Sequence, residues 1–142
     1  MKFGILVSMV GLMVAGCTWE PSRIPPCEGE VTENCLPVVY FSPDSYEISP
    51  HGQEKLDKNI EKMEQWPAKQ VLIEGHSYEW GGDDYNKELS QCRAQAVEKY
   101  LIEKGIDPER IQVDSCGLEK PVCEDKKCRN LNRRTIVEMY NP

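Results

Sequence analysis

Long apolar runs are missing from this 142-residue sequence. The one pronounced stretch, Phe3 to Val14, is shorter than the roughly 20 residues a membrane-spanning helix needs. Clustered basic charge is missing as well. With 17 Lys and Arg against 24 Asp and Glu, a formal net charge of -7, the chain offers neither the basic face that nucleic acid requires nor a polybasic patch for anionic lipid. Histidine is scarce, and His51 and His76 stand apart from any serine or cysteine pattern. A nucleophile needs a base and a group to orient it, so the sequence points away from an enzyme, and no cofactor is expected. Internal repeats and heptads are absent too, which leaves one domain with one core.

What is present begins with an export signal. Met1-Lys2, the apolar run and Val14-Ala15-Gly16-Cys17 read as a lipoprotein signal over residues 1–16, removed before Cys17; an ordinary signal peptide cut elsewhere is the alternative. Cys17 then resembles the first residue of bacterial lipoproteins, with acyl chains on its thiol and amine, and more than one chain is what stable anchoring takes. Thr18 in place of aspartate resembles lipoproteins sorted to the outer membrane. Residues 17–35 read as the lipidated cysteine and an extended tether, stiffened by Pro21, Pro25 and Pro26, with a reach on the order of 60 Å at about 3.5 Å per residue. Packing of this segment on the domain is the other reading.

Removing Cys17 from the seven cysteines leaves six: Cys27, Cys35, Cys92, Cys116, Cys123 and Cys128. An even number in an exported chain indicates disulfides, with about 15 connectivities for six cysteines. Nearness in sequence suggests Cys27 with Cys35 and Cys123 with Cys128, leaving Cys92 with Cys116. A zinc loop at Cys123 to Cys128 competes, but no second pair at similar spacing accompanies it, so no metal is expected.

Residues 36–142 form the expected folded domain, of α/β (α+β) class. The β-branched and aromatic run over residues 36–41 predicts a strand. Ser49 caps a helix with Pro50 at its first position and an apolar face at Leu56, Ile60 and Met63, and Pro67 stops it. A strand follows over residues 70–76. Asp83 or Asp84 caps a second helix that ends at Gly105. Strands over residues 111–116 and 134–140 complete the set, and crossover connections place the helices on one side of a mixed sheet.

The second helix carries the most informative residue. At roughly 100° per residue, Leu89, Ala96, Val97, Tyr100 and Leu101 share one face with Arg93 near the middle, and Asn86 lies two turns earlier on the same side. A guanidinium cannot shed its charge, and a desolvated charge without a partner is costly. The partner is a protein carboxylate or a ligand. Alternatively the stem packs and the head reaches water.

Gly75-His76-Ser77, Asn86, Leu89-Ser90, Arg93-Ala94 and Val97, followed by Gly117, Lys120-Pro121 and Asn132-Arg133-Arg134, resemble in order and spacing the OmpA-like domain of peptidoglycan-associated outer-membrane lipoproteins, over residues 38 to 140. The resemblance implies a two-layer βαβαββ sandwich with a mixed four-stranded sheet. It also implies an outer-membrane lipoprotein, lipid-anchored through Cys17 on the periplasmic face, that binds peptidoglycan. The ligand would be the diaminopimelate side chain of a stem peptide, which carries both carboxylate and ammonium. Arg93 would grip the carboxylate, Leu89 would line the pocket, Phe41 and Asn86 would contact the ligand as well, and Asn132 and Arg134 would contact it while helping to hold the first-strand loop. For the last two, loop bracing and a surface strand charge are equally open.

Two departures stand out. The family turn reads Gly-His-Thr-Asp where this chain has Gly75-His76-Ser77-Tyr78, and Ser42-Pro43 replaces an Asp-Phe. Tyr78 has no charge at neutral pH with which to meet the ammonium, a loss of about 1.5 to 3 kcal/mol, unless Glu79, Asp83 or Asp84 compensates. In this register Tyr78→Asp strengthens binding. The alternative function is a non-binding scaffold subunit of an envelope complex for secretion or motility, with other envelope proteins as partners. An acid of the fold already engaging Arg93, with no cavity beside it, would overturn the peptidoglycan tether and leave only that alternative.

Overall fold

A computed structural model describes residues 36–142; the signal, Cys17, the tether, Cys27 and Cys35 lie outside the described residues. The element order is β1 (Val39–Tyr40), α1 (Pro50–Gln65), β2 (Gln70–Gly75), α2 (Asp83–Glu103), β3 (Ile111–Ser115) and β4 (Arg134–Tyr140), with short 3-10 turns at Pro108–Arg110 and Lys126–Asn132. The sheet runs β1-β4-β2-β3, with β2 parallel to β3 and β4 antiparallel to both β1 and β2. This is the expected βαβαββ mixed sheet.

Local chemistry accounts for the boundaries. Ser49 caps α1 by accepting from the Gly52 amide at 3.1 Å, Pro50 opens it, and Trp66 closes it just before Pro67. Leu56, Ile60 and Met63 face inward as expected. Two expectations need correction. The first strand pairs only at Val39 and Tyr40, a two-residue edge strand rather than six. Pro37 supplies no amide, and on the far side Phe41 makes one further backbone bond, to the Arg133 carbonyl, before Pro43 turns the chain away. The N-cap of α2 is Gly82, with no side-chain bond, so Asp83 and Asp84 sit inside the first turn, where the helix dipole favours their charge. The helix ends as predicted, with Gly105 at φ +103° just beyond it.

Both helices cover one face of the sheet. Leu56, Ile60 and Met63 of α1 and Ala94, Val97 and Leu101 of α2 share one core with Val71 and Ile73 of β2 and Val137 and Met139 of β4. Ala94, rather than Ala96, is the fully buried alanine on α2. Alternation sends Leu72, Glu74 and His76 to the opposite face, with Arg134 and Ile136 opposite them on β4. Gly75 fixes how closely β2 approaches α2, because a Cβ there would lie 1.9 Å from the Ser90 carbonyl oxygen. That contact brings the end of β2 within reach of Arg93, three residues beyond Ser90.

Candidate functional site

The chain leaving β2 turns under α2, and Asn86 fixes the turn. Its Oδ1 accepts from the Ser77 hydroxyl at 2.7 Å and from the Glu79 amide at 2.8 Å, while its Nδ2 donates to the Glu79 and Gly82 carbonyls at 3.3 and 3.1 Å. Asn86 is fully buried. The family resemblance made it a ligand contact; the structure makes it the brace of the turn over residues 77–82.

That brace delivers Glu79 to Arg93. Glu79 Oε1 accepts from Arg93 Nη2 at 2.9 Å, with the Glu79 side chain 6% and the Arg93 side chain 0% exposed. The rest of the guanidinium ties backbone together: Nε donates to Ser45 O at 2.9 Å, Nη1 to His76 O at 3.1 Å and Nη2 to Ser42 O at 3.2 Å. Phe41 lies beneath it, its ring centre 5.4 Å from the guanidinium carbon. Burial pulls the Arg93 pKa below its ordinary value, and the Glu79 carboxylate opposes the pull. The predicted acidic partner is therefore a protein carboxylate, and the head does not reach water.

Glu79, rather than Tyr78, faces the cation. The sequence pointed to Glu79 only as a possible substitute for the missing aspartate, and its place one residue after Tyr78 was the available signal. The half-buried Tyr78 ring instead lies 5.5 Å from the guanidinium carbon of Arg129. The expected gain from Tyr78→Asp loses its basis, since the carboxylate position opposite Arg93 is already filled. Leu89 and Phe41 are buried in the packing around Arg93.

The Asn132-Arg133-Arg134 element divides its work. Asn132 is buried, and its Oδ1 accepts from the Val122 and Cys123 amides at 2.8 and 3.2 Å. It braces the loop before it, and not the first-strand loop. Arg133 was missed: its Nε donates to Phe41 O at 3.2 Å and lies 3.8 Å from Glu79 Oε1, so it holds the first-strand loop and supports the Glu79 charge. Arg134 is not a surface charge. It is 3% exposed, its Nη2 donates to Lys120 O at 3.3 Å, and its Nε and Nη1 are buried without partners. Burial lowers its pKa to about 10. Beside it His76, 2% exposed and with its Nε2 3.9 Å from a Glu74 carboxylate oxygen, is pushed down to about 3, chiefly by burial and then by the Arg134 charge.

The cysteines correct one pairing. Cys123 and Cys128 form a disulfide as expected, so this loop is not a zinc site. Cys92 is a free thiol, whereas Cys116 is held in a disulfide, and the proposed Cys92–Cys116 bridge does not form. Cys92 sits half-buried on α2, and Cys116 follows β3, its amide donating to the Gly75 carbonyl at 2.9 Å. Among the described residues one group has metal-ligand chemistry, Glu74, His76 and Cys116, with ligand atoms within 4.8 Å of one another. The Cys116 sulfur is already bonded, and Lys120 Nζ lies 3.8 Å from the Glu74 carboxylate. That arrangement does not suit a cation.

Comparison with known proteins agrees with the fold. The OmpA family model matches residues 40–134. A peptidoglycan-associated lipoprotein of Mesorhizobium japonicum is 31% identical, over 95% of this chain and 90% of the relative. One from Rhizobium meliloti is 34% identical over 80% of this chain, but the match spans only 65% of that relative's length. Among solved structures, the peptidoglycan-associated lipoprotein of Burkholderia pseudomallei superposes with a TM-score of 0.68 at 32% identity, covering 72% of this chain and 89% of that one. These relatives are lipoproteins of the cell envelope by name, and the family is not one of enzymes. With its mixed sheet, its Asn86-braced turn and its buried arginine, the chain belongs to the OmpA family, among the relatives of the peptidoglycan-associated lipoproteins.

Proposed function

We propose that this chain is an outer-membrane lipoprotein, anchored through lipid on Cys17, whose domain holds peptidoglycan non-covalently by the zwitterionic end of a stem peptide. The observation that carries the reading is the buried Glu79–Arg93 pair at the turn between β2 and α2. An acid and a base already in contact are the complement of a ligand bearing an ammonium and a carboxylate. Separating a buried pair so that one charge stands alone costs about 3–5 kcal/mol. A zwitterion inserted between the two re-pairs both, with Arg93 on its carboxylate and Glu79 on its ammonium. Glu79 thus supplies the charge that Tyr78 lacks. Leu89 and Phe41 offer apolar contact to the aliphatic stem, while Asn86, Asn132 and Arg134 support the surrounding turns.

The scaffold reading has its own observation. Half of the condition set from the sequence is met, since Glu79 already engages Arg93, which is fully buried with four hydrogen bonds; the tether therefore requires the turn over residues 77–82 to move for a ligand to enter. Sedimentation with purified peptidoglycan sacculi separates the two. The detergent-solubilised protein is expected to pellet with sacculi, and a free stem peptide to release it. A well-folded protein that stays in the supernatant like a control would reject the tether and leave the scaffold.

A further inference from the structure

We infer that Trp80, Tyr78 and Arg129 form a stacking platform for a sugar ring, and that its occupant is an N-acetylhexosamine of the glycan strand. This rests on the stem-peptide reading, because the platform flanks Glu79 in the same turn. Trp80 is 81% exposed, the most exposed of the large hydrophobic side chains among the described residues. Trp80 does not stand singly, since it shares Arg129 with Tyr78, and exposed apolar groups that cluster mark interaction sites. Here the fixing is visible. Asn86 holds the backbone at Glu79 and again at Gly82, on either side of Trp80. Gly81, at φ +148°, takes a conformation that other residues rarely adopt.

The guanidinium of Arg129 completes the platform. Its carbon lies 4.9 Å from the Trp80 ring centre and 5.5 Å from that of Tyr78, so one cation bridges both rings. Its Nε is buried without a hydrogen-bond partner, and no carboxylate among the described residues pairs with it. The rings are ordered before any ligand arrives, which lowers the entropic cost of binding.

A flat apolar face bordered by N–H donors matches a pyranose, with its C–H face and its rim of hydroxyl and amide oxygens. The formal charge of -7 disfavours a polyanion at the same place. Position also favours the sugar. Glu79 lies between Tyr78 and Trp80 in sequence, and a peptide linking a sugar here to the Glu79–Arg93 pair needs only a few residues at about 3.5 Å each.

The test uses peptide-free chitotetraose and, separately, a sugar-free stem peptide, each titrated into the full chain in detergent while the tryptophan indole N–H signals are followed by NMR. Chitotetraose is expected to shift the Trp80 indole saturably. The shift should vanish in Trp80→Ala and need about tenfold more sugar in Arg129→Gln, with stem-peptide affinity unchanged in both. No indole shift up to the solubility limit, in protein that still binds the stem peptide, overturns the platform and leaves the tether intact. A sugar response without stem-peptide binding supports the platform and overturns the role given to the Glu79–Arg93 pair.

Discussion

Arg93 on α2 and Arg134 on β4 bury the same group to nearly the same depth, 0% and 3% exposed, in very different company. Arg93 donates to three backbone carbonyls and to Glu79. Arg134 has a single bond, to Lys120 O, and two nitrogens that meet neither water nor an acceptor. The first ties the loop after β1, the end of β2 and α2 into one unit. The second is a charge under the opposite face of the sheet, beside a histidine that burial keeps neutral. Burial of a cation therefore says little about its role; the identity of its partners does.

Replacing each arginine by methionine breaks the comparison most sharply. Arg93→Met leaves the Glu79 carboxylate buried opposite an apolar chain and unties three carbonyls, an expected loss of about 3–5 kcal/mol. Arg134→Met removes an uncompensated charge and keeps the packing volume, so it should be neutral or stabilising. Urea denaturation midpoints of the two variants decide. Similar losses would mean that Arg134 has a partner as strong as Glu79.

The sequence made one of these arginines visible and hid the other, for a physical reason. Helical periodicity placed Arg93 among Leu89, Val97 and Leu101, and burial followed. In β4 the alternation was masked, because Thr135, Val137 and Met139 face the helices while Arg134 and Ile136 are buried on the other face. A strand buried on both faces gives no polar-out pattern, so the sequence left Arg134 open between ligand contact, loop bracing and a surface charge. Glu79 was hidden differently. Register alone put Tyr78 opposite Arg93, and only the four Asn86 bonds, which depend on the path of the turn, show that the next residue occupies that place. The two ends of α1 and the end of α2 were legible because Ser49, Pro50, Pro67 and Gly105 act locally. The Cys92–Cys116 pairing failed because elimination by sequence distance does not tell which sulfur Cys116 meets in the fold; its bond leaves Cys92 a free thiol.

A smaller change sharpens the same contrast within the Arg93 unit. Glu79→Gln keeps the shape and one acceptor but turns a charge-assisted bond into a neutral one, an expected cost of about 1.5–3 kcal/mol. The Asn86 bonds to the backbone should persist, so the turn stays folded. Protection of the Glu79 amide against hydrogen exchange checks this. If Glu79→Gln is as damaging as Arg93→Met, the carboxylate and not the carbonyl ties carries most of the stability.

The Arg134 side is best probed by pH. His76 is held near a pKa of about 3 in the folded chain, against about 6.5 when unfolded. Between these values the unfolded state binds a proton that the folded state refuses, so folding stability rises with pH across that window and falls as the solution is acidified from about 6.5 towards 3. The slope from this one group approaches 1.4 kcal/mol per pH unit. His76→Phe keeps a ring of similar size in the same buried pocket, and should flatten the acid limb of the melting curve between pH 6 and about 4. Arg134→Met should flatten it less, because the Arg134 charge ranks second to burial in pushing the histidine down. An acid limb unchanged by His76→Phe would assign acid sensitivity to the carboxylates, with the Glu79–Arg93 pair the first to examine.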